Sequence, residues 1–480
     1  MYDTVASGRS AHFAALDEAR PNRFQFKIMF VSGMGFFTDA YDLFIIGVVV
    51  SLLKSEWHLS TTQVSLLNSA TLIASAFGAI VFGRIADMLG RKRIYGYEVL
   101  VLAAGAIASA LSPNFAFLLV ARVILGIGVG GDYPVSATIM SEYSGKRSRG
   151  RMVGLVFAMQ GAGLVFGPLL ASGLLASGLS HQMTWRLLLG FGAIPGLAVF
   201  YLRRQIKETP RFALAGGVAD EAAAAIAMAT GTTGTPAASG ESVARITGGA
   251  FSGARALFAS PRMIRWLIGT AVTWMLLDFA YYGNSISSPA VLGLLNPHAS
   301  LLSNTLVQLG IFAVFALPGY FLAIWLMDRI GRRPIQLFGF ALMAVAFLLI
   351  AAVPGVVHAA GAFVLLYGMS YLFSEFGPNT TTFVYPAEIF PVEVRTTGHG
   401  ISAAAGKIGA FVGAYLFPQM LASSMGIRGA ELVAGLVSLL GVVITAVCLP
   451  EPKGRSLEEL TEIGLSRSRA SDRELVSASA

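Results

Sequence analysis

The sequence predicts an all-α membrane protein, with twelve transmembrane helices in two pseudo-symmetric six-helix halves. Three observations carry this expectation. Only 12% of the 480 residues are charged whereas 55% are hydrophobic, at a mean hydropathy of +0.69. The apolar residues recur in runs near the roughly 20 residues needed to cross hydrocarbon as a helix. A short charged motif occurs twice, half a chain apart.

Water-soluble domains carry about 25% charged residues, and half that share leaves no means of covering a water-facing surface. The 54 glycines fit a membrane interior, where small residues let helices approach closely. Apolar stretches run over 27–53, 63–83, 94–111, 115–143, 152–178, 184–203, 263–288, 301–327, 335–353, 357–387, 397–423 and 428–450. An even number of crossings places both termini on one side. Lysine and arginine crowd the termini and the even-numbered connections; the odd-numbered ones hold only Lys54, Arg186 and Arg428, while Arg122 and Lys407 lie inside helices. Both termini are therefore expected in the cytoplasm. The same distribution explains the net charge of +8 through the lipid bilayer and argues against nucleic acid.

The single cysteine, Cys448, excludes an intramolecular disulfide and any cysteine-based metal site, and no metal is expected. The first 26 residues are polar and lack the apolar core of a signal peptide, so the first apolar segment is expected to stay in the membrane. The organisation that follows is a cytoplasmic segment 1–26, a six-helix half 27–203, a cytoplasmic linker 204–262, a second half 263–450 and a cytoplasmic tail 451–480. The linker stretch AAAAIAMATGTTGTPAASGE is rich in alanine, glycine and threonine and is expected to pack no core.

The halves repeat. GRIADMLGRKR supplies Asp87, Gly90, Arg91, Lys92 and Arg93 after the second helix; MDRIGRRP supplies Asp328, Gly331, Arg332 and Arg333, 241 residues later. Parallel halves with a substrate site between them near the midplane characterise one large class of secondary transporters. D-x-x-G-R-[RK], followed by Arg93 at the first place and Pro334 at the second, resembles the signature loop of the major facilitator superfamily at both. That resemblance implies a gating role for Asp87, Arg91, Asp328 and Arg332, away from substrate.

An ionisable side chain at mid-membrane costs on the order of 2.5–3.5 kcal/mol on insertion scales, so each is a candidate functional residue. Asp39 and Asp42 lie three apart in GMGFFTDAYDLF and share a helix face. A carboxyl buried beside another is suited to taking up and releasing a proton, although a structural ion pair fits the same pattern. Asp132 follows the glycines 126, 128, 130 and 131 and is the strongest single proton-site candidate. Trp274, Asp278 and Tyr282 are four apart in turn and stack along one helix face. Lys407, well inside a helix, needs an anion, either a carboxylate or a substrate. Glu375 and Arg122 form a second tier. Gln160 and Asn379, taken singly, fit a helix–helix hydrogen bond as well as a ligand.

Together TDAYDLF, GGDYP, AMQG, the Trp274/Asp278/Tyr282 stripe, FGPNTTTF and GKIGAF resemble the phosphate:proton symporters of the major facilitator superfamily, over nearly all the membrane portion. The resemblance implies that Tyr133, Gln160, Trp274, Asp278, Tyr282 and Asn379 surround inorganic phosphate, and that Lys407 acts in its binding or release. It implies proton movement through Asp39 and Asp132, with Asp42 beside them. It further implies a plasma-membrane carrier that works as a monomer, with the proton as coupling ion and no cofactor. The chemistry agrees: phosphate keeps an O–H near neutral pH that Asp278 can accept, whereas sulfate keeps none. KETPRF and PEPKGRSLEEL also resemble sugar porters, and the paired aspartates resemble aromatic-acid:proton symporters. Another small anion, a sugar, or a phosphate-sensing receptor are thus the alternatives. No nucleophile–base or metal-ligand constellation points to an enzyme.

Overall fold

The computed structural model describes residues 13–215, 217–231, 257–258 and 260–465. Twelve membrane helices follow in chain order. The first half has α1 (Arg23–Glu56), α2 (Thr61–Leu89), α3 (Arg91–Ala110), α4 (Phe115–Tyr143), α5 (Arg149–Ala176) and α6 (His181–Arg204). The second has α7 (Pro261–Leu295), α8 (Leu301–Ile330), α9 (Arg332–Ala352), α10 (Ala360–Ser374 and Thr380–Ile389), α11 (Arg395–Ala422) and α12 (Gly426–Cys448). Among the described residues, eleven of these are long and apolar enough to cross a membrane. The exception is α10, whose ladder gives way to a π-turn over Glu375–Asn379, with Gly377 outside helical geometry and Pro378 unable to donate.

Local sequence sets the helix ends. Asn22 with Gln25 and Ser60 with Gln63 form capping boxes at the starts of α1 and α2. Ser260 caps α7 ahead of Pro261. Gly90 and Gly331 end α2 and α8 at φ of 102° and 104°, a conformation that disfavours any side chain. Just beyond them, Glu208 accepts from the Lys92 backbone N–H at 3.1 Å. Glu451 does the same for Arg332 and Arg333 at 3.2 and 2.9 Å. These glutamates belong to KETPRF and PEPKGRSLEEL, which thereby act as caps on α3 and α9.

Helix packing repeats between the halves. α1 packs on α5 as α7 packs on α11, α3 lies against α4 and α6 as α9 lies against α10 and α12, and the halves meet through α2 with α11 and α5 with α8. Glycine-mediated contacts are close: a Cβ at Gly83 or Gly400 would run into backbone of the opposite helix.

On the side that carries the described ends of the chain, two matching charge clusters hold the halves together. Glu142 at the end of α4 meets Arg91 of its own half at 3.3 Å and Arg395 of the other half at 2.9 Å. Glu388 at the end of α10 meets Arg332 of its own half at 2.7 Å and Arg149 of the other at 3.2 Å. Asp87 accepts from the backbone N–H and hydroxyl of Thr397 at 2.6 and 2.7 Å, and Asp328 accepts from the Arg151 N–H at 2.9 Å. Each motif aspartate thus meets the first turn of a helix in the opposite half, where partial positive charge collects.

The linker departs from expectation at its start. Pro210–Ala215 and Ala219–Thr230 are helices. Ala222, Ala225, Ile226 and Ala229 are buried, and the Asn22 side chain donates to the Ala229 carbonyl at 2.8 Å. Alanine has the highest helix propensity, and its small side chain permits this close approach; the rest of the quoted stretch, 232–241, lies outside the described residues. Arg211 joins three segments, pairing with Asp17 at 3.0 Å and Glu458 at 2.9 Å while donating to the Glu142 carbonyl at 2.9 Å. Burial pushes the Asp17 carboxyl above its ordinary range despite Arg211. Glu458 is also buried, but the Arg211 guanidinium holds it below its ordinary range.

Removing Glu142 leaves Arg91 and Arg395 buried without their shared counter-charge, a loss of about 3–5 kcal/mol from the closed arrangement. Ser141→Cys, placed in a Cys448→Ser background, reports on this face because Ser141 donates across the halves to Ala387. Adding Glu142→Gln is expected to raise its thiol-labelling rate by about tenfold or more.

Candidate substrate and proton sites

Between the halves, α7 and α11 place Asp278 and Lys407 in contact. Lys407 Nζ lies 3.2 Å from Asp278 Oδ2 and donates to the Tyr282 hydroxyl at 2.8 Å. The ammonium also sits over the rings of Tyr133, 4.4 Å from its centroid, and Tyr282, at 4.3 Å. The Tyr133 and Tyr282 hydroxyls are 3.5 Å apart and so bring α4 of one half to α7 of the other. Trp274 forms a wall beside Tyr133 and His399, with ring centroids 6.1 and 5.5 Å away. Gly406 permits this placement, since a Cβ there would meet the indole at 2.5 Å.

Gln160 and Asn379 belong to an adjoining cluster. Tyr320 of α8 donates to Gln160 Oε1 at 2.8 Å and accepts from Asn379 Nδ2 at 3.1 Å. Asn379 also donates to Glu375 Oε2 at 2.5 Å. Phe157 stacks on Phe383 at 4.5 Å, and Phe157 borders both Tyr133 and Tyr320. An aromatic wall therefore joins the two polar groups. Phe44 stacks on Tyr282 at 5.2 Å, and Gly47 packs against the Ile286 carbonyl, which closes the side opposite the charge clusters. Tyr133, Gln160, Trp274, Asp278, Tyr282, Asn379 and Lys407 are each no more than 2% exposed. The arrangement is occluded.

The acidic candidates separate. Asp132 pairs with Arg203 of α6 at 2.8 Å and accepts from Ser136 at 2.5 Å. Arg203 pairs in turn with Glu98 of α3 at 2.6 Å, and its guanidinium lies over the Tyr95 ring at 4.5 Å. Gly35 makes room for this pair, because a Cβ there would fall on the Asp132 carboxylate and the Arg203 guanidinium. One turn later, Asp39 lines the same cavity as Asp132 and Glu98, of about 10 Å³, room for roughly one water. Asp39 itself has no hydrogen-bond partner among the described residues. Asp42 does not line that cavity; its carboxylate lies against Gly192, and Arg122 donates to its carbonyl at 2.8 Å.

One guanidinium thus faces the carboxyls of Asp132 and Glu98, with Asp39 close by. Positive charge answers only part of the negative charge, and a mobile proton can supply the rest. Sequence reading missed Glu98, Arg203 and Tyr320. Arg203 was grouped with the basic residues of the connections because it lies in the RRQIK run, yet it is fully buried. The signal available was Glu98 at the start of the apolar run 97–110, an acidic residue with no cation within that run.

Arg203→Met leaves Asp132 and Glu98 buried without a cation and is expected to destabilise the protein by about 3–5 kcal/mol. Adding Glu98→Gln should recover part of that loss. Thermal unfolding of the purified protein in detergent measures both; a double variant no more stable than Arg203→Met contradicts the pairing.

Comparison with known proteins agrees with this architecture. The family model described as "Sugar (and other) transporter" matches residues 27–463. Inorganic phosphate transporter 1-11 of Oryza sativa subsp. japonica is 36% identical over 96% of this chain and 92% of its own length. Low affinity inorganic phosphate transporter 1 of Petunia hybrida is 36% identical over 93% and 94%. Inorganic phosphate transporter 1-4 of Arabidopsis thaliana is 36% identical over 93% and 95%. Among solved structures, the proton:xylose symporter XylE bound to 6-bromo-6-deoxy-D-glucose superposes with a TM-score of 0.75 at 21% identity, covering 92% of this chain and all of that one. A multi-pass membrane protein with this fold, these paired loop motifs and relatives matched over more than nine-tenths of both chains belongs to the phosphate:proton symporter family of the major facilitator superfamily.

Proposed function

We infer that this protein is a secondary active transporter that takes up inorganic phosphate together with protons by alternating access. The observation that carries the reading is the enclosed group of Asp278, Lys407, Tyr282 and Tyr133 at the meeting of the halves. Lys407 answers part of the charge of an anion, the tyrosines and Trp274 supply donors, and Asp278 accepts the O–H that phosphate retains. A sulfate oxygen at the same place meets a carboxylate with no proton between them, which is repulsive.

Coupling follows from chain neighbours. Asp132 and Tyr133 are consecutive on α4, one in the carboxyl cluster and the other against Lys407. Protonation of the carboxyl cluster from outside lowers the negative charge beside the cavity and favours anion entry. The halves 27–203 and 263–450 then rock about the site, the Glu142 and Glu388 clusters part, and loss of the proton inside favours release. Asp39 serves the same proton path as Asp132; Asp42, whose backbone carbonyl accepts from Arg122, stands to one side of it. The proton is the coupling ion and no cofactor takes part.

The basic residues of the even-numbered connections favour a cytoplasmic position for both termini, the linker and the tail. The uptake reading places the protein in the plasma membrane, and one copy encloses the whole site, so a monomer suffices. A carrier of another anion, an aromatic acid or a sugar is the competing reading.

Proteoliposomes loaded with an inward proton gradient are expected to accumulate labelled phosphate, and to lose most of that uptake when the gradient is removed. Arsenate should compete, whereas glucose and benzoate should not. Asp278→Ala and Asp132→Asn are each expected to cut uptake by at least about tenfold; rates equal to the unmodified protein would sink the assignment.

A further inference from the structure

We propose that Tyr320 and Glu375 are positioning residues that fix which way the two cavity amides face, making Gln160 a hydrogen-bond donor and Asn379 an acceptor toward substrate. This rests on the phosphate reading above and adds the basis of its selectivity.

The chain of bonds has a direction. A carboxylate accepts and does not donate, so Asn379 turns its amide nitrogen to Glu375 Oε2, at 2.5 Å. The second hydrogen on that nitrogen goes to the Tyr320 oxygen at 3.1 Å. The amide nitrogen of Asn379 is then fully used, and its Oδ1 is the atom left to offer. Tyr320 has one proton, and Gln160 Oε1 at 2.8 Å receives it. Turning the Gln160 amide round would take the 2.8 Å acceptor from the buried phenol proton and leave it only the Glu375 carboxylate, which already accepts from Asn379. Gln160 therefore keeps Oε1 on the phenol and presents its NH₂.

The link also crosses the protein. Gln160 lies on α5 of the first half, while Tyr320 and Glu375 lie on α8 and α10 of the second. Tyr320 and Glu375 are both fully buried. The π-turn places Glu375 and Asn379 at its two ends and so brings the carboxylate onto the amide. A site with one imposed donor and one imposed acceptor suits an anion that carries both bare oxygens and an O–H. Hydrogen phosphate has both; sulfate lacks the O–H. Discrimination thus becomes a property of amide orientation as well as of Asp278.

Tyr320→Phe keeps the ring and removes the relay. The expected result is a rise of roughly tenfold in the phosphate KM, a maximal rate within about twofold, and stronger competition by sulfate. Glu375→Gln can either donate or accept, so it should move KM and sulfate competition in the same direction by a smaller factor. Thermal unfolding in detergent identifies variants that are folded. An unchanged KM in folded Tyr320→Phe overturns the proposal, as does a fall in maximal rate at constant KM, which marks a role in the conformational change. Absence of phosphate uptake by the unmodified protein would remove the substrate reading itself; normal uptake with an unmoved KM in the variant removes the relay alone.

Discussion

A carboxylate withdrawn from water has to be met by a cation, by hydrogen-bond donors or by a proton, and every functional region of this protein is a different answer to that constraint. Glu142 and Glu388 are each met by two arginines, one from either half, so their neutralisation is also what holds the halves together. Asp278 is met by Lys407 and shares it with a tyrosine. Glu98 and Asp132 share one guanidinium. Glu375 is met by an amide. The buried charges are costly as stabilising interactions, since such pairs seldom recover their full desolvation. Their value lies in being exchangeable: a pair that can be broken by a proton, an anion or a relative movement of the halves gives a carrier its states.

The fold was legible because it depends on patterns that survive in one dimension. Hydrophobic runs mark crossings, basic residues mark a side, and a repeated loop marks the duplication. The tenth helix reads as one apolar run, yet the break in its middle does not show, because the π-turn at Gly377 and Pro378 goes with close packing of Gly377 on Gly339 of α9. The start of the linker was misjudged for a related reason. An alanine run looks featureless in composition, but it becomes a helix once Asn22 and its neighbours supply a surface to pack on.

Spacing along a single helix went part of the way. Trp274, Asp278 and Tyr282 share α7 and are all buried, whereas Asp39 and Asp42, three apart on α1, face different surroundings. Partnerships between helices were not legible. Arg203 sits in a basic run at a helix end, and only its distance from Asp132 and Glu98 removes it from the class of sidedness charges. Tyr320 carries no neighbouring motif at all, and its importance rests on bonds to residues about 160 and 59 positions away. One trace was available and unread: a glutamate followed seven residues later by an arginine occurs at Glu142/Arg149 and again at Glu388/Arg395. That repeat is the linear shadow of the two inter-half clusters.

The duplicated architecture has kept its symmetry unevenly. The charged loops and clusters at one face obey the repeat: Asp87 and Asp328, Gly90 and Gly331, Glu142 and Glu388, Glu208 and Glu451 occupy matching places and make matching bonds. The groups proposed above for proton and substrate do not. The first half carries the arginine-linked carboxyls, and the second carries the lysine-linked aspartate and the glutamate–amide relay. A carrier whose two faces must alternate benefits from like locks, whereas coupling requires two unlike loads, a proton and an anion. Divergence is therefore expected where the loads bind. The contact of Tyr133, next in chain to Asp132, with Tyr282 and Lys407 is one place where these unlike halves meet, and in the proposed cycle it links the protonation of one to the anion of the other.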